Sequence, residues 1–307
     1  MRPRLRAESR KDFGLRTWVE TLQFFGLLLL ELVALFTVIT FAVVLIDRRI
    51  GAETLKRWLS GNRITAPLKG VAVGIITPFC SCSTVPMLMG MLRAGAPFTA
   101  AAAFLISSPL IDPVILAMLA VMISWQFMLA YTVVITISSI AIALVWDRLG
   151  LANQVRKVIV TGGAVDAGPW RGLASEAKPA IVETLRTLKK LSIPLAIGVA
   201  VGAVIHGAVP SSVLAGLGNA AWAIPVAALI AIPLYIRGTA AIPIGLSLVG
   251  AGVGIGPIFA MIISGTGASL PEATMLSGIF KPRLLAAFLF SIFAIAVAGG
   301  FILPIFT

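Results

Sequence analysis

The sequence predicts an all-α integral membrane protein with about eight transmembrane helices, in two duplicated four-span halves with broken or re-entrant helices at the core. Three observations lead to this prediction. Of the 307 residues, 59% are hydrophobic and only 12% are charged, whereas about a quarter of the residues in soluble domains are charged. Apolar runs of about 20 residues, enough to cross ~30 Å of hydrocarbon, recur along the chain. One long polar stretch divides these runs into two groups of four.

The polar stretch, residues 147–189, is predicted to be a cytoplasmic linker between a first membrane repeat, residues 1–146, and a second, residues 190–307. Four spans in each half would make the repeats parallel, whereas one re-entrant segment in each half would make them inverted. The sequence leaves both arrangements open. The predicted spans cover residues 20–46, 67–92, 98–121, 126–146, 190–209, 221–249, 254–280 and 284–305.

Evidence for duplication comes from shifting the sequence by 157 positions along itself without gaps. Glycine, asparagine, proline and serine coincide at several places, and such matches carry more information than apolar ones. Internal duplication is common in transporters, whose binding site lies between the repeats near the bilayer midplane. The informative coincidences are Gly61 and Asn62 with Gly218 and Asn219, Pro86 with Pro243, and Ser107 with Ser264.

The net charge of +12 comes from basic residues placed between the apolar runs, with six in residues 1–16, six in 47–69 and eight in 147–190. Positive residues of this kind mark cytoplasmic sides and contact lipid headgroups, so membrane lipids rather than nucleic acid are the expected partners. The pattern predicts a multi-pass protein of a bacterial inner membrane with a cytoplasmic N-terminus. The 47–69 loop would then be external despite its charge, and "AETLKRWLSGNR" predicts a short amphipathic helix on a membrane surface, anchored by Trp58.

Two apolar segments in each half are interrupted by polar and helix-breaking residues. Proline opens backbone groups that then need partners or must line a water-filled cavity. Such interruptions are the best sequence indication of a transport site. They are "TPFCSCSTVP" and "SSPLIDP" in the first half, and "IPLYIRGTAAIP" and "SGTGASLPE" in the second.

Cys80 and Cys82 are the only cysteines. On a regular helix, residues two apart point about 200° apart and cannot bind one ligand. If Pro78 and Pro86 hold the chain out of a helix, both sulfurs can approach a soft centre such as As(III); the alternative is that both are small buried hydrophobes. The predicted substrate-binding residues are Cys80, Ser81, Cys82, Ser83, Thr84, Ser107, Arg237, Thr239, Ser264 and Thr266.

Asp112 and Glu272 lie inside predicted spans, where an acidic side chain costs about 2.5–3.5 kcal/mol on insertion scales and indicates function by default. Either could carry a proton that drives transport, or could balance the charge of Arg237. The structural alternatives are a helix N-cap before Pro113 for Asp112, and the first turn of a half-helix after Pro271 for Glu272.

Enzyme motifs are missing from the sequence. It has no phosphate-binding Walker loop or dinucleotide fingerprint, and its single histidine, His206, leaves no hydrolytic triad or metal-ligand spacing. We therefore expect a non-enzyme without cofactor or resident metal, driven by ion coupling or by another subunit; whether it forms a homo-oligomer is open. The rival interpretations are a membrane-embedded thiol redox protein using Cys80 and Cys82, and a scaffold or assembly subunit.

The segment "PFCSCSTVPMLMGMLRAGAPFTAAAAFLISSPLIDP" and, more weakly, "AIPLYIRGTAAIPIGLSLVGAG" resemble the YraQ/ArsP-like predicted permeases, which include bacterial organoarsenical efflux permeases. The resemblance implies an eight-span inner-membrane permease and, in the organoarsenical branch, export of trivalent organoarsenicals through thiol contact at Cys80 and Cys82. Ser83 and Asp112 stand where the family usually has Gly and Asn. The predicted function is therefore a secondary transporter that exports a small thiophilic or anionic solute, with a soft metal or oxyanion as the alternative substrate.

Overall fold

The computed structural model describes residues 52–76, 81–156, 221–234 and 254–306. It also describes isolated positions 34, 37, 38, 41, 181, 182, 184, 185, 189, 242, 245 and 249. Within these residues the regular secondary structure is helical, apart from one antiparallel bridge between Val155 and Phe280. The prediction of an all-α protein is confirmed for the described part of the chain.

Six α-helices of the first half and four of the second are described. In the first half they are α1 Ala52–Leu59, α2 Thr65–Ile76, α3 Ser81–Arg93, α4 Phe98–Ser107, α5 Pro113–Met122 and α6 Trp125–Arg148. In the second half they are α7 Ala223–Leu234, α8 Ile255–Gly267, α9 Leu270–Ser277 and α10 Pro282–Ile302. Single 3-10 turns, Leu151–Gln154 and Leu303–Phe306, follow α6 and α10.

Among the described helices, α6 with 24 residues and α10 with its following turn, 25 residues together, are long and apolar enough to cross a membrane. The other apolar helices have 8 to 13 residues, which at about 1.5 Å per residue is about half of a 30 Å bilayer. Short apolar helices of this kind are what the interrupted segments predict.

Helix α1 occupies the segment for which the sequence predicts a short amphipathic helix. Leu59 is completely buried, while Trp58 is 52% exposed and Lys56 and Arg57 face solvent. The helix is therefore confirmed, with Leu55 and Leu59 packed against the rest of the protein and a basic outer face.

Helices α2 and α4 pack tightly and run in the same direction. A Cβ on Gly70 would collide with the carbonyl oxygen of Ala100, and one on Gly74 would lie 2.7 Å from Oγ of Ser107. Because α2 and α4 start at the same end, α3 between them must run in the opposite direction and bring the chain back to that end. In agreement, a Cβ on Gly95, after α3, would lie 3.7 Å from Cδ of Lys56, in the helix before α2. The single span predicted for residues 67–92 is instead two short helices that enter and leave at the same end.

The turn after α3 explains how the chain reverses. Gly95 adopts a left-handed conformation with φ of 75°, and the N–H groups of Gly95 and Ala96 donate to the carbonyls of Leu92 and Met91 at 3.2 and 3.0 Å. This Schellman arrangement ends a helix and favours glycine.

The second half repeats this packing. Helices α7 and α8 run in the same direction, because Oγ of Ser264 donates to the carbonyl of Ala228 and Ile224 lies against Gly256. Helix α10 runs in the opposite direction to α8, since Gly256 lies next to Gly300 and Gly267 next to Ile292.

The long helices α6 and α10 are antiparallel to each other. The indole Nε1–H of Trp146 donates to Oγ of Ser291 at 3.1 Å, and Val155, after the end of α6, pairs with Phe280, before the start of α10. The start of α6 lies against α8, where the rings of Phe127 and Phe259 are 4.7 Å apart.

The helix boundaries repeat at the same offset as the sequence. Helices α4 and α8 begin at residues 98 and 255, α5 and α9 at 113 and 270, and α6 and α10 at 125 and 282, so each pair is separated by 157. Helices α2 and α7 begin at 65 and 223, one residue from the same offset.

Candidate functional site

The first break lies between α4 and α5. Ser107 and Ser108 are completely buried, and the N–H groups of Leu110 and Ile111 both donate to the carbonyl of Ser107 at 3.0 and 2.8 Å. Pro109 and Pro113 have no N–H to donate, so a regular helix cannot run through this segment. The result is a tight buried turn over residues 108–112.

Asp112 is the N-cap of α5. Its Oδ1 accepts a hydrogen bond from the N–H of Val114 at 2.8 Å, and Pro113 occupies the first helical position. A carboxylate here also interacts favourably with the positive end of the helix dipole. Asp112 therefore has a structural role of the kind that the sequence allowed, and it is only partly buried.

Three helices bring small and hydroxyl-bearing residues to this turn. Oγ1 of Thr84, in α3, lies 3.4 Å from Oγ of Ser108, and Thr84 is completely buried. Gly74, in α2, leaves the space that Ser107 and Ser108 occupy, because a Cβ there would lie 2.7 Å from Oγ of Ser107 and 3.2 Å from N of Ser108. We call Thr84, Ser107 and Ser108 the hydroxyl cluster.

The cysteine segment lies at the start of α3. Residues 77–80, and with them Cys80, lie outside the described residues, as do the side chains of Ser81, Cys82 and Ser83. The backbone from Ser81 onward is helical, and Pro86 lies inside that helix. The prediction of a non-helical chain between Pro78 and Pro86 is therefore wrong for residues 81–86, because the helix accommodates Pro86 near its N-terminal end. Since proline has no N–H, the carbonyl of Cys82 lacks its usual helical donor.

Tyr131 is a site residue that the sequence interpretation missed. It is completely buried in α6, and its hydroxyl donates to the carbonyl of Leu110 at 3.0 Å. A buried tyrosine hydroxyl usually has a hydrogen-bond partner. The sequence feature that could have identified it is its position: Tyr131 is one of only two tyrosines in the chain and lies within a long apolar run.

The second break lies between α8 and α9. Ser264 and Thr266 are buried near the end of α8, and their hydroxyls donate to backbone carbonyls of Ala228 and Ile262 at 2.6 and 2.7 Å. These two predicted substrate contacts are thus engaged with the protein backbone in this structure.

Ser269 caps α9, and its Oγ accepts from the N–H of Glu272 at 3.3 Å. The Ser-x-x-Glu spacing is that of a capping box. Glu272 is completely buried in the first turn of the half-helix, at the place given by its structural alternative.

The two breaks meet. A Cβ on Gly267, at the end of α8, would lie 3.0 Å from Cδ2 of Leu110 in the first break. In addition, α9, which carries Glu272, packs against α3, which carries Thr84 and the backbone of Cys82. Arg237, Thr239 and His206 lie outside the described residues, so the pairing of Arg237 with an acid stays a prediction.

Comparison with known proteins adds a family and two relatives. A family model described as predicted permease matches residues 17–305. The chain is 32% identical over 72 residues to the UPF0718 protein YcgR of Bacillus subtilis (strain 168), a match that covers 24% of each protein and so spans about a quarter of that relative.

A longer match, 26% identical over 243 residues, covers 77% of this chain and 79% of a Streptococcus mutans serotype c (strain ATCC 700610 / UA159) protein. The name of that protein assigns it provisionally to a two-component membrane permease complex as a subunit. No solved structure matches the chain.

Proposed function

Because this chain belongs to the family of predicted permeases, we propose that it is a secondary transporter of a bacterial inner membrane, with its substrate site between two duplicated halves. The observation that carries the site is the meeting of the two buried helix breaks at Leu110 and Gly267. Broken helices at the interface of two repeats are where transporters bind substrate.

The polar lining proposed for the site comes from the first half. The hydroxyl cluster is buried beside the first break, and Cys82 precedes Thr84 by two residues in the same helix. Inside an apolar bundle, hydroxyl groups held 3.4 Å apart make a weak mutual hydrogen bond. A solute that offers Ser108 a better hydrogen bond can therefore compete for its hydroxyl, and the same holds for Ser107, whose hydroxyl donates to the carbonyl of Phe104 at 3.4 Å.

For the substrate, we propose a small thiophilic solute, with a trivalent organoarsenical as the first choice. Cys82, at the second position of α3, and Cys80, which precedes the first residue of that helix, would each replace one hydroxyl group of an R–As(OH)2 solute, so that two As–S bonds form and two water molecules are released. The hydroxyl cluster would hydrogen-bond the arsenic hydroxyl groups before they leave. A soft metal ion or an oxyanion is the alternative substrate for the same site. The proposal assigns no chemical transformation to the chain.

Glu272 is the acid that we propose for proton coupling. It is completely buried, and its helix contacts the helix of Thr84. Because a buried carboxylate in a bilayer is costly, its protonation state would respond to whether the site is closed or open to water. Asp112, which caps α5 and is partly exposed, would contribute to stability instead.

A second candidate function is a subunit of a two-component permease, as the name of the Streptococcus relative suggests for that protein. In that case this chain would supply the solute pathway only together with a second membrane protein. Exposed apolar residues on α6, such as Val133 and Ile137, would face that subunit or lipid.

Transport by the purified chain in proteoliposomes tests the proposal, with phenylarsine oxide as the probe and an imposed pH gradient. We expect accumulation that needs the gradient, and a loss of at least about tenfold when Cys80→Ser and Cys82→Ser are combined. Ser277→Ala is the matched control, since Ser277 is exposed and its hydroxyl donates only within its own helix, to Thr274.

Three results would separate the parts of the proposal. Flux that survives the double cysteine change would overturn the thiol site but retain the permease. Flux of arsenate or Cu(I) in place of the arsenical would change the substrate class. No flux by the chain alone, restored when a co-purifying membrane protein is added, would favour the two-component candidate.

A further inference from the structure

Equivalent helices of the two halves point in opposite directions. Helices α6 and α10 begin 157 residues apart, yet the contacts of Trp146 with Ser291 and of Val155 with Phe280 make them antiparallel. If a two-fold axis parallel to the helices related the two repeats, equivalent helices would point in the same direction. An axis that lies across the helices, in the plane of the membrane, reverses them.

A residue near a two-fold axis contacts its own equivalent. Leu110 and Gly267 are separated by 157 positions, and they are in contact. Contacts that lie away from such an axis occur in reciprocal pairs. Trp146 contacts α10 at Ser291, and Leu303, the residue 157 positions after Trp146, begins the turn that packs against α6. The axis therefore passes between the two helix breaks.

The ends of the helices form two sets, one at each end of the helix bundle. Helix α1, the start of α2 and the turn after α3 share one end, as the contact of Lys56 with Gly95 requires. The end of α6 and the start of α10 share one end through Val155 and Phe280. The start of α6 contacts the turn after α4 through Tyr131 and Leu110, so α4 is antiparallel to α6 and begins where α6 ends. Both groups therefore lie at the same end.

This end, which we call the basic end, carries every Lys and Arg in the continuous described ranges. The opposite end consists of residues 121–126, 221–226 and 300–306. It contains no Lys or Arg within the described ranges. Basic residues concentrate on the cytoplasmic side of membrane proteins. The nine residues are Lys56, Arg57, Arg63, Lys69, Arg93, Arg148, Arg156, Lys281 and Arg283.

We infer that the halves are inverted repeats and that the basic end faces the cytoplasm. The α2–α3 hairpin then enters from the cytoplasm, and α7, its counterpart, enters from the opposite side. The external placement of residues 47–69 that the sequence predicted is reversed, which removes its conflict with their positive charge. In the proposed permease, the hydroxyl cluster lies against the α2–α3 hairpin, which enters from the cytoplasm.

Single-cysteine labelling tests the inference without any transport measurement, so its outcome is independent of the proposed function. The background carries Cys80→Ser and Cys82→Ser, and one cysteine is added at an exposed position in each half at each end. The positions are Ser60→Cys and Ser277→Cys at the basic end, and Gln126→Cys and Ala221→Cys at the opposite end.

In intact spheroplasts, we expect a membrane-impermeant maleimide to label Gln126→Cys and Ala221→Cys at least tenfold more than the other two, and everted vesicles should reverse the ratio. Labelling of Ser60→Cys and Ser277→Cys on different sides would overturn the inverted repeat. Labelling of both in spheroplasts would overturn the orientation. The same changes made with both native cysteines retained, compared with the unmodified chain, keep the test valid if the cysteine-free background is unstable.

Discussion

The phenol hydroxyl of Tyr131 donates a hydrogen bond to the carbonyl oxygen of Leu110, 3.0 Å away, in the buried turn between α4 and α5. In a continuous helix this carbonyl would accept from the N–H of Val114, which instead donates to Oδ1 of Asp112 at 2.8 Å. A side chain from the long helix α6 thus provides a partner for a backbone group that the broken helix exposes. This contact fixes the turn that contains Ser108 and touches Gly267.

Replacing Tyr131 by Phe should destabilise the protein by about 0.6–1.7 kcal/mol, between the average and the largest value found for interhelical hydrogen bonds in a membrane protein. The carbonyl of Leu110 would lose its partner without a large change in packing. Unfolding in mixed detergent measures the change. Thr132→Val is the control, because the hydroxyl of Thr132 bonds to its own helix at the carbonyl of Met128; equal losses in both variants would contradict the role of Tyr131.

Gly70→Ala should destabilise the protein by about 1–3 kcal/mol, the usual cost of overpacking. The added Cβ would collide with the carbonyl oxygen of Ala100, a backbone atom that cannot move without shifting α4. Thermal unfolding in detergent gives the measurement. Gly278→Ala adds the same methyl group at an exposed site, and should change the unfolding midpoint little.

Ser291→Ala should cost about 1 kcal/mol, because it leaves the buried indole N–H of Trp146 without its acceptor. This hydrogen bond joins α6 of the first half to α10 of the second, so limited proteolysis between the halves should also become faster. Ser277→Ala removes a hydroxyl from an exposed position and serves as the control. An unchanged Ser291→Ala protein would mean that the two long helices are held by packing alone.

Asp112→Ala should destabilise the protein by about 1 kcal/mol through loss of the cap on α5, while Asp112→Asn should remain close to the original chain. The asparagine side chain keeps an oxygen that can accept from the N–H of Val114. Transport should survive in the asparagine variant once protein amounts are matched. Loss of transport in a stable Asp112→Asn protein would assign the proton-coupling role to Asp112.

Glu272→Gln should abolish proton-driven accumulation of the probe while retaining exchange of the probe across the membrane. The amide keeps the size of the carboxyl group in its buried position but cannot carry a proton. Uptake with and without a pH gradient, and counterflow without one, measure the two activities. If gradient-driven accumulation continues in this variant, Glu272 is not the coupling group.

Several site features could be predicted from sequence because they depend on local chemistry. Proline removes a backbone donor wherever it occurs, so the interruptions at "SSPLIDP" and "SGTGASLPE" predicted the breaks after Ser107 and Gly267. The N-cap position of Asp112 and the first-turn position of Glu272 follow from their spacing to Pro113 and Pro271. The helix over residues 52–59 follows from its amphipathic pattern.

Other features depend on contacts between segments far apart in the chain. The hydrogen bond of Tyr131 with Leu110 and that of Trp146 with Ser291 join residues 21 and 145 positions apart. The hydropathy of residues 67–92 predicts a single transmembrane helix, because an apolar run gives no information about where the chain reverses its direction. The reversal was visible only in the packing of Gly70 and Gly74 against α4.

The sequence by itself determined the class of protein, the helix breaks and the 157-residue offset, since hydropathy, proline and glycine act through the local backbone. Tertiary structure decided the direction of each short helix and the contact of Leu110 with Gly267. The physical reason is that a short apolar helix is equally compatible with either direction across a bilayer. Only its packing partners, such as Ala100 for α2 and Ala228 for α8, select one of the two.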